Sequence, residues 1–537
     1  MKSLYLIVFC LMVTSNCFSQ YVSHIQEPDT SIAIIKDMDE PRVKFASTIT
    51  AEDIKAHLSV LASDEYEGRE TGEPGNELAA QYIANHFESI GLEKTNGSYF
   101  QNVTFSSTGW TDTEMYVNGE KFKHLWDYLA YPTSFVDMKD FSAEEVLFMG
   151  YGIDDPRYSD YKGKSVAGKV VMIYLGEPMI NETTSRITGK SEMSEWNNNV
   201  GKKLDVAKAK GAKMVLLVSS DLKGFLMENR KYLLGGRLEL GDKREEMGLV
   251  PAHAYISTTL AEAIIGSKKG KVTKAVKKMA KKGKSKGVSL KTNFTGKFDN
   301  YINLLEGKNV LGFIEGSDLK DELIVVSAHY DHLGKRGSDI FNGADDNGSG
   351  TSTVLDMAEA FKLAKEAGHG PRRSMLFLLV TGEEKGLLGS QWYAENPTFP
   401  LENIVADVNV DMIGRIDDEH EDGNYIYVIG SDRLSTDLHK INEQANNNYT
   451  QMVLDYTYNS EEDPNRYYYR SDHYNFAVKG IPAIFYFSGV HKDYHRPSDT
   501  IEKILFDKVE KTGHLIFHTT WDLVNRDKRI VVDGVKP

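Results

Sequence analysis

From about residue 305 onward, short and wholly apolar runs alternate with longer stretches in which apolar side chains recur at helical spacing. The runs 323–327, 375–380, 404–410, 425–429 and 482–487 are rich in β-branched and aromatic residues and predict buried strands. Between them, 350–365, 386–394, 434–446 and 471–478 predict helices, and 500–524 predicts a long closing helix. Buried strands alternating with helices predict an α/β fold, a three-layer sandwich with a mixed, largely parallel central sheet.

The pattern upstream differs. Thr50-Ala51-Glu52-Asp53 resembles a capping box opening a helix with Ile54, Leu58 and Leu61 on one face. A second helix near 75–90 carries Ala79, Tyr82, Ile83 and Phe87 at helical spacing, and 20–47 reads as an extended lead-in. In 125–290, β-type runs at 145–149, 169–174 and 213–218 alternate with Gly-rich turns and one helix near 204–210. That stretch predicts a small β-rich α/β unit inserted between 48–124 and 291–537, which together form the larger domain. Its end, 267–287, holds ten lysines among small residues. A solvated helix or connector explains them better than a polyanion or membrane patch.

Composition adds limits. A formal charge of −15 on 537 residues argues against a nucleic-acid partner. Lys2, the apolar run 4–13 and the small residues at 17–19 predict a secretion signal cleaved after Ser19, hence an exported protein, periplasmic or extracellular. Both cysteines, Cys10 and Cys17, fall in that signal, so disulfides, thiolate nucleophiles and thiolate metal ligands are excluded downstream of it. No later run is long and apolar enough to predict stable membrane insertion after signal removal. Oligomeric state leaves no mark in the pattern.

Candidate chemistry gathers in five segments: AHYDH (328–332), GADDNGSG (343–350), TGEEKGLLGS (381–390), NVDMIGR (409–415) and DYHRPSDT (493–500). They offer His329, Asp346, Glu384, Asp411 and His495 as metal ligands, with Glu383 left over. Taken singly, a His is more often a packed core residue, Asp-Asp-Asn-Gly a turn, and Glu-Glu a charged helix start. Taken together, each segment falls at or just past a predicted strand end, or in a loop returning to a helix, on the edge where ligands gather in open α/β sheets. Two divalent ions sharing one carboxylate would lower the pKa of bound water towards about 7. The spare glutamate could then move its proton.

At these residues the chain resembles the di-zinc peptidases of metallopeptidase family M28, over about 300–526 and again over 61–92. The stretches 160–174 and 207–220 resemble a protease-associated (PA) domain. The resemblance implies the zinc-dependent exopeptidase fold with a PA-like insert and two Zn2+ ions. His329 and Asp411 would hold one ion, Glu384 and His495 the other, and Asp346 would bridge them. Glu383 would be the general acid/base and Asp331 the carboxylate that orients His329. His332 and His491 would not be ligands. Tyr468 would bind the developing oxyanion; the run Tyr467-Tyr468-Tyr469 leaves its register open, and Arg470 is a rival. Carboxylate and imidazole ligands also admit Mn2+ or Co2+.

The expected function is a secreted aminopeptidase acting on peptide substrates. Three alternatives are a carboxypeptidase or dipeptidase of the same fold, a glutaminyl cyclase with one zinc, and a receptor-like homologue without catalysis.

Overall fold

The computed structural model describes residues 24–233, 236–283 and 287–537. The expected signal, its cleavage position and both cysteines lie outside these residues, as does part of the Lys-rich run. The remainder of that run forms the helix Lys269–Lys282, which buries Val272, Ala275 and Met279 and leaves most of its lysines in solvent.

The C-terminal half is built on one mixed sheet. Leu319–His329 lies at its centre, parallel to Ile404–Val410 on one side and Arg373–Val380 on the other. Ala483–Phe487 continues the parallel set beyond Ile404–Val410. Tyr425–Ile429 then pairs antiparallel with Ala483–Phe487 and parallel with Val453–Asp455. The alternating side chains of the central strands explain the layering. Ile324, Val326 and Ala328 pack with Met375, Phe377 and Leu379 under the helices Ala51–Leu61, Gly350–Glu366 and Phe506–Asn525. Leu323, Val325, Leu376, Leu378 and Val380 face the opposite way, against Tyr393 and Phe476 of the helices Leu388–Glu395 and His473–Lys479. Burial on both faces is why these strands read as unbroken apolar runs; each such side chain contributes about 1.5–3 kcal/mol when removed from water.

Three expectations need correction. The lead-in is not simply extended. Ile25–Gln26 pairs with Val453–Asp455, and Pro41–Ala46 is a helix that buries Phe45 and Ala46. Proline in its first turn presets the helical φ, and Phe45 anchors it. The predicted closing helix is shorter, Phe506–Asn525, preceded by a 3-10 turn at Ile501–Lys503. Finally, the boundary drawn at 290 falls inside a strand, whereas that at 125 lies in a loop. A single strand, Val288–Ile314, runs from the middle segment into the main sheet, paired along most of its length with Phe100–Val117. Its 27 residues span roughly 90 Å of contour at about 3.3 Å each. The core of the middle segment accordingly draws on Met115, Val117, Phe122, Phe294 and Phe298, outside those boundaries. Within it, Val170–Tyr174, Met214–Val218 and Ala252–Ile256 form a parallel trio with apolar packing on both faces.

Candidate active site

Four of the five ligand-rich segments follow the carboxyl end of a strand of the main sheet, and the fifth leads into the helix Gly350–Glu366. His329 is the last residue of Leu319–His329, and Asp411 directly follows Ile404–Val410. Glu383 and Glu384 lie in the turn after Arg373–Val380, and Asp346 lies in the turn Ala344–Ser349 that feeds Gly350–Glu366. His495 follows Ala483–Phe487 by one loop. Met412 and His495 both adopt positive φ, 55° and 56°, an unfavourable backbone that tends to gather at functional sites.

The loops are tied together by buried polar groups. Asn347 accepts from the amides of Gly350 and Met412 and donates to the Val410 carbonyl, stapling the Asp346 turn to the Asp411 turn. Asp499 accepts from the amides of Asp345 (3.0 Å) and Asp346 (3.2 Å). Asp331 accepts from the amides of Glu383 (3.1 Å) and Glu384 (3.3 Å) and from the Thr71 hydroxyl (2.9 Å).

The result is one cluster. His329 Nε2 lies 3.4 Å from Asp411 Oδ1, 3.5 Å from Asp346 Oδ1 and 3.9 Å from Glu383 Oε2. His495 Nε2 lies 3.1 Å from Asp346 Oδ2 and 3.3 Å from Glu384 Oε2. Asp346 thus faces a histidine from each side, one oxygen to each. Two groups of potential ligand atoms result: His329, Glu383 and Asp411, and His332, Asp346 and Glu384. His332, which the resemblance set aside, is fully buried with Nδ1 2.8 Å from Glu384 Oε1. His491 instead faces Asp345, at 3.3 Å.

Burial without bonding marks the cluster as a candidate cation site. His329 Nε2, Asp346 Oδ2, Glu384 Oε1 and Asp411 Oδ1 are buried and make no hydrogen bond despite their closeness. An orphaned buried polar atom costs about 1–3 kcal/mol, more when charged. Oxygen and imidazole nitrogen lone pairs converging in this way are what a zinc-like cation takes. The residues therefore fit a pair of such ions.

The two adjacent glutamates are driven apart. Burial pushes Glu383 well above the usual carboxylate range; His329 opposes this, while Glu384, Asp472 and Asp411 reinforce it. Burial also pushes Glu384 up, but His332 and His495 outweigh it and hold that carboxyl well below the usual range. One glutamate is set up to accept and return a proton, the other to stay ionised.

A cleft above the cluster is lined by His329, Asp346, Glu383, Asp411 and His495 together with Met412, Tyr467, Arg470, Phe485, Phe487, Val490 and Tyr494. Tyr468 does not line it. Its ring is buried with Arg433 stacked over it at 4.4 Å and His473 beside it. The tight turn Tyr467–Tyr469 presents neighbouring residues in different directions and turns Tyr467 to the cleft. Tyr494, which carried no sequence signal beyond its place before His495, stacks on that ring at 3.8 Å and reaches Arg470 Nη2 with its hydroxyl at 3.4 Å. Burial and the carboxylates of Asp346 and Glu384 push its phenol up, so it remains a donor at neutral pH. A second cavity, of about 470 Å³, adjoins Glu384; Glu70, Thr71, Asn303 and Lys385 line it with Gly236, Arg237 and Leu238 of the middle segment.

Residues 309–520, which include all of the candidate ligands, match the model of peptidase family M28. The chain is 32% identical over 210 residues to a probable leucine aminopeptidase of Trichophyton verrucosum, covering 38% of this chain and 54% of that protein. It is 27% identical over 230 residues to aminopeptidase YwaD of Bacillus subtilis, covering 41% and 46%. The chain thus spans about half the length of the curated relatives it matches. Among solved structures, the aminopeptidase from Aneurinibacillus sp. strain AM-1 aligns over 92% of this chain and 98% of its own, at 19% identity and a TM-score of 0.46. BSAP, a zinc aminopeptidase from Bacillus subtilis, aligns over 91% and 99%, at 18% identity and a TM-score of 0.44. The segment that holds the site is therefore similar in sequence to the M28 peptidases.

Proposed function

We propose that the protein is an exported di-metal exopeptidase that removes N-terminal residues from peptides. The observation that carries this reading is the convergence of buried, unbonded carboxylate and imidazole atoms from the carboxyl ends of three strands and the turn Ala344–Ser349, within the segment that matches the M28 peptidase family model. Export rests on the N-terminal sequence pattern; among the described residues no helix is long and apolar enough to cross a membrane.

His329, Asp411, Glu384 and His495 would hold two divalent cations, with Asp346 between them and His332 supporting Glu384. Bound there, the ions supply Lewis acidity for the scissile carbonyl and a lowered pKa for attacking water. Glu383 takes the proton of that water and returns it to the leaving amine. Asp331 fixes the backbone from which Glu383 projects. Tyr494 and Arg470 donate to the carbonyl oxygen as it gains charge. The apolar wall of Met412, Phe485, Phe487 and Val490 suits an apolar N-terminal side chain. The rest of the peptide would run into the larger cavity, which the PA-like segment closes through Arg237 and Leu238.

The test is Glu383→Gln. Hydrolysis of aminoacyl p-nitroanilides should fall by at least 1,000-fold (~4 kcal/mol of barrier) while two metal ions remain bound. Undiminished turnover in that variant would overturn the assignment. Activity restricted to N-blocked peptides in the wild type would replace the aminopeptidase reading with a carboxypeptidase one.

A further inference from the structure

Beneath the candidate metal centre, a line of polar side chains crosses an otherwise apolar sheet. Ser327 on Leu319–His329, Asp407 and Asn409 on the neighbouring Ile404–Val410, and Ser471 just before His473–Lys479 are all fully buried. Polar groups in such a place cost free energy unless they bond one another. Ser327 Oγ lies 2.8 Å from Asp407 Oδ1 and 3.0 Å from Asn409 Oδ1. Asn409 Nδ2 lies 2.8 Å from Ser471 Oγ, and Ser471 Oγ lies 2.7 Å from Asp411 Oδ2. The other oxygen of Asp411, Oδ1, makes no hydrogen bond and faces His329.

Counting protons gives this chain a direction. An ionised Asp411 is an acceptor only, so the single Ser471 proton goes to it. Ser471 must then accept, and its donor is the Asn409 amide nitrogen. That orientation turns the Asn409 carbonyl oxygen to Ser327, whose single proton it takes. Ser327 has no proton left for Asp407, so the contact between them closes only if Asp407 is the donor.

We propose that Asp407 is a positioning residue: it carries a proton and heads a one-way chain of hydrogen bonds, through Ser327, Asn409 and Ser471, that locks Asp411 with one oxygen turned to the metal centre. The surroundings agree. Burial pushes Asp407 well above the usual carboxylate range, and the Asp472 carboxylate adds to this against the opposing Ser327 contact. Its second oxygen has no hydrogen-bond partner, a state far less costly for a neutral acid than for an anion. The chain reaches Asp411 from the side away from the cleft, so it adjusts a ligand without touching substrate.

The inference rests on Asp411 being a metal ligand, and the experiment separates the two. Zn2+ is titrated against a chromophoric chelator into the wild-type protein and the variants Asp407→Asn, Asp407→Ala and Ser327→Ala, each checked for folding by circular dichroism and thermal melting. In Asp407→Asn the carboxamide still donates to Ser327, so both Zn2+ affinities should stay within about twofold of wild type. Asp407→Ala and Ser327→Ala should each weaken one of the two ions by about tenfold or more, the usual effect of losing a partner behind a ligand, and leave the other unchanged. Equal loss in Asp407→Asn and Asp407→Ala would show that charge matters rather than the donated proton, and would overturn the proposal. So would unchanged Zn2+ binding in Ser327→Ala, which decides the matter even if Asp407→Ala fails to fold. A wild-type protein that binds fewer than two Zn2+ ions would instead sink the reading of the site itself.

Discussion

The carboxylate of Asp331 accepts hydrogen bonds from the backbone amides of both Glu383 and Glu384. Its expected partner, His329, is held chiefly by the Asp331 main-chain carbonyl, 3.0 Å from Nδ1, with the carboxylate at 3.7 Å. Asp331 therefore orients the histidine and also fixes the turn that carries Glu383 and Glu384. Asp331→Ala leaves two amides without their acceptor, at about 1–3 kcal/mol each. We expect a lower melting temperature and a 10- to 100-fold fall in kcat, the range typical of residues that support a metal site. A variant with normal kcat would show that the turn holds its shape unaided.

Tyr494 lines the cleft over the candidate ligands and Tyr468 does not, so under the proposed function Tyr494 would be the tyrosine that meets charge developing on the substrate. Tyr494→Phe removes one hydroxyl and should cost on the order of 100-fold in kcat with little change in KM. Tyr468→Phe should leave both constants near wild type, because that ring lies under Arg433 and away from the cleft. Steady-state kinetics on one aminoacyl substrate distinguishes the two, and the reverse pattern would restore the sequence expectation.

The placement of these two tyrosines shows where legibility in sequence ends. The central strands are buried on both faces, so their apolar runs stand out and their carboxyl ends can be located; His329, Asp411 and the Glu383–Glu384 pair inherit their positions from those ends. Tyr468 depends instead on which way a three-residue turn rotates, and one step of rotation exchanges it for Tyr467. His332 lies one turn past a strand end and becomes visible as a neighbour of Glu384 only when the loops are folded together. Phe100–Val117 and Val288–Ile314 escape notice for another reason. Their outer reaches form a half-solvated ribbon in which Lys, Thr and Asn alternate with Phe and Leu, so the composition resembles a linker. Asp407 and Ser327 are hidden by their strands, as single polar residues in apolar runs.

Arg237 brings the middle segment to the larger cavity. If peptides extend through that cavity, Arg237→Ala should raise KM for tri- and tetrapeptides by about tenfold, the ~1.4 kcal/mol of one charged contact. Aminoacyl p-nitroanilides, which carry only one aryl group beyond the scissile bond, should be unaffected. Equal effects on both substrate types would mean that Arg237 acts on the fold around Gly386 and not on substrate.

Metal uptake should release protons. Burial pushes His495 down, but its contacts with Asp346 and Glu384 outweigh this and raise the imidazole to about 10. At neutral pH the imidazolium must lose its proton before it can bind an ion. Apparent Zn2+ affinity should therefore rise with pH, by up to tenfold per unit for each proton displaced. Calorimetry at pH 7 in buffers of different ionisation enthalpy measures the protons released, and His495→Gln should release fewer. A heat independent of buffer would contradict the assignment of His495 as a ligand.

Asp356 offers a separate test, on stability. It sits on Gly350–Glu366 and accepts from the Thr50 amide at 3.0 Å, tying that helix to the start of Ala51–Leu61. Burial raises its carboxyl to about 7; the Thr50 contact opposes this, and Asp53, Glu359 and Glu510 add to it. A carboxyl raised on folding contributes stability fully below its unfolded pKa of about 4 and loses that contribution as pH rises through the folded value. The loss should therefore run from about pH 4 to pH 7. Asp356→Asn keeps an acceptor for Thr50 and removes the charge, so its melting temperature should exceed that of wild type at pH 8, with the gap closing towards pH 5. A gap that widens on acidification would mean that the ionised form is the stabilising one.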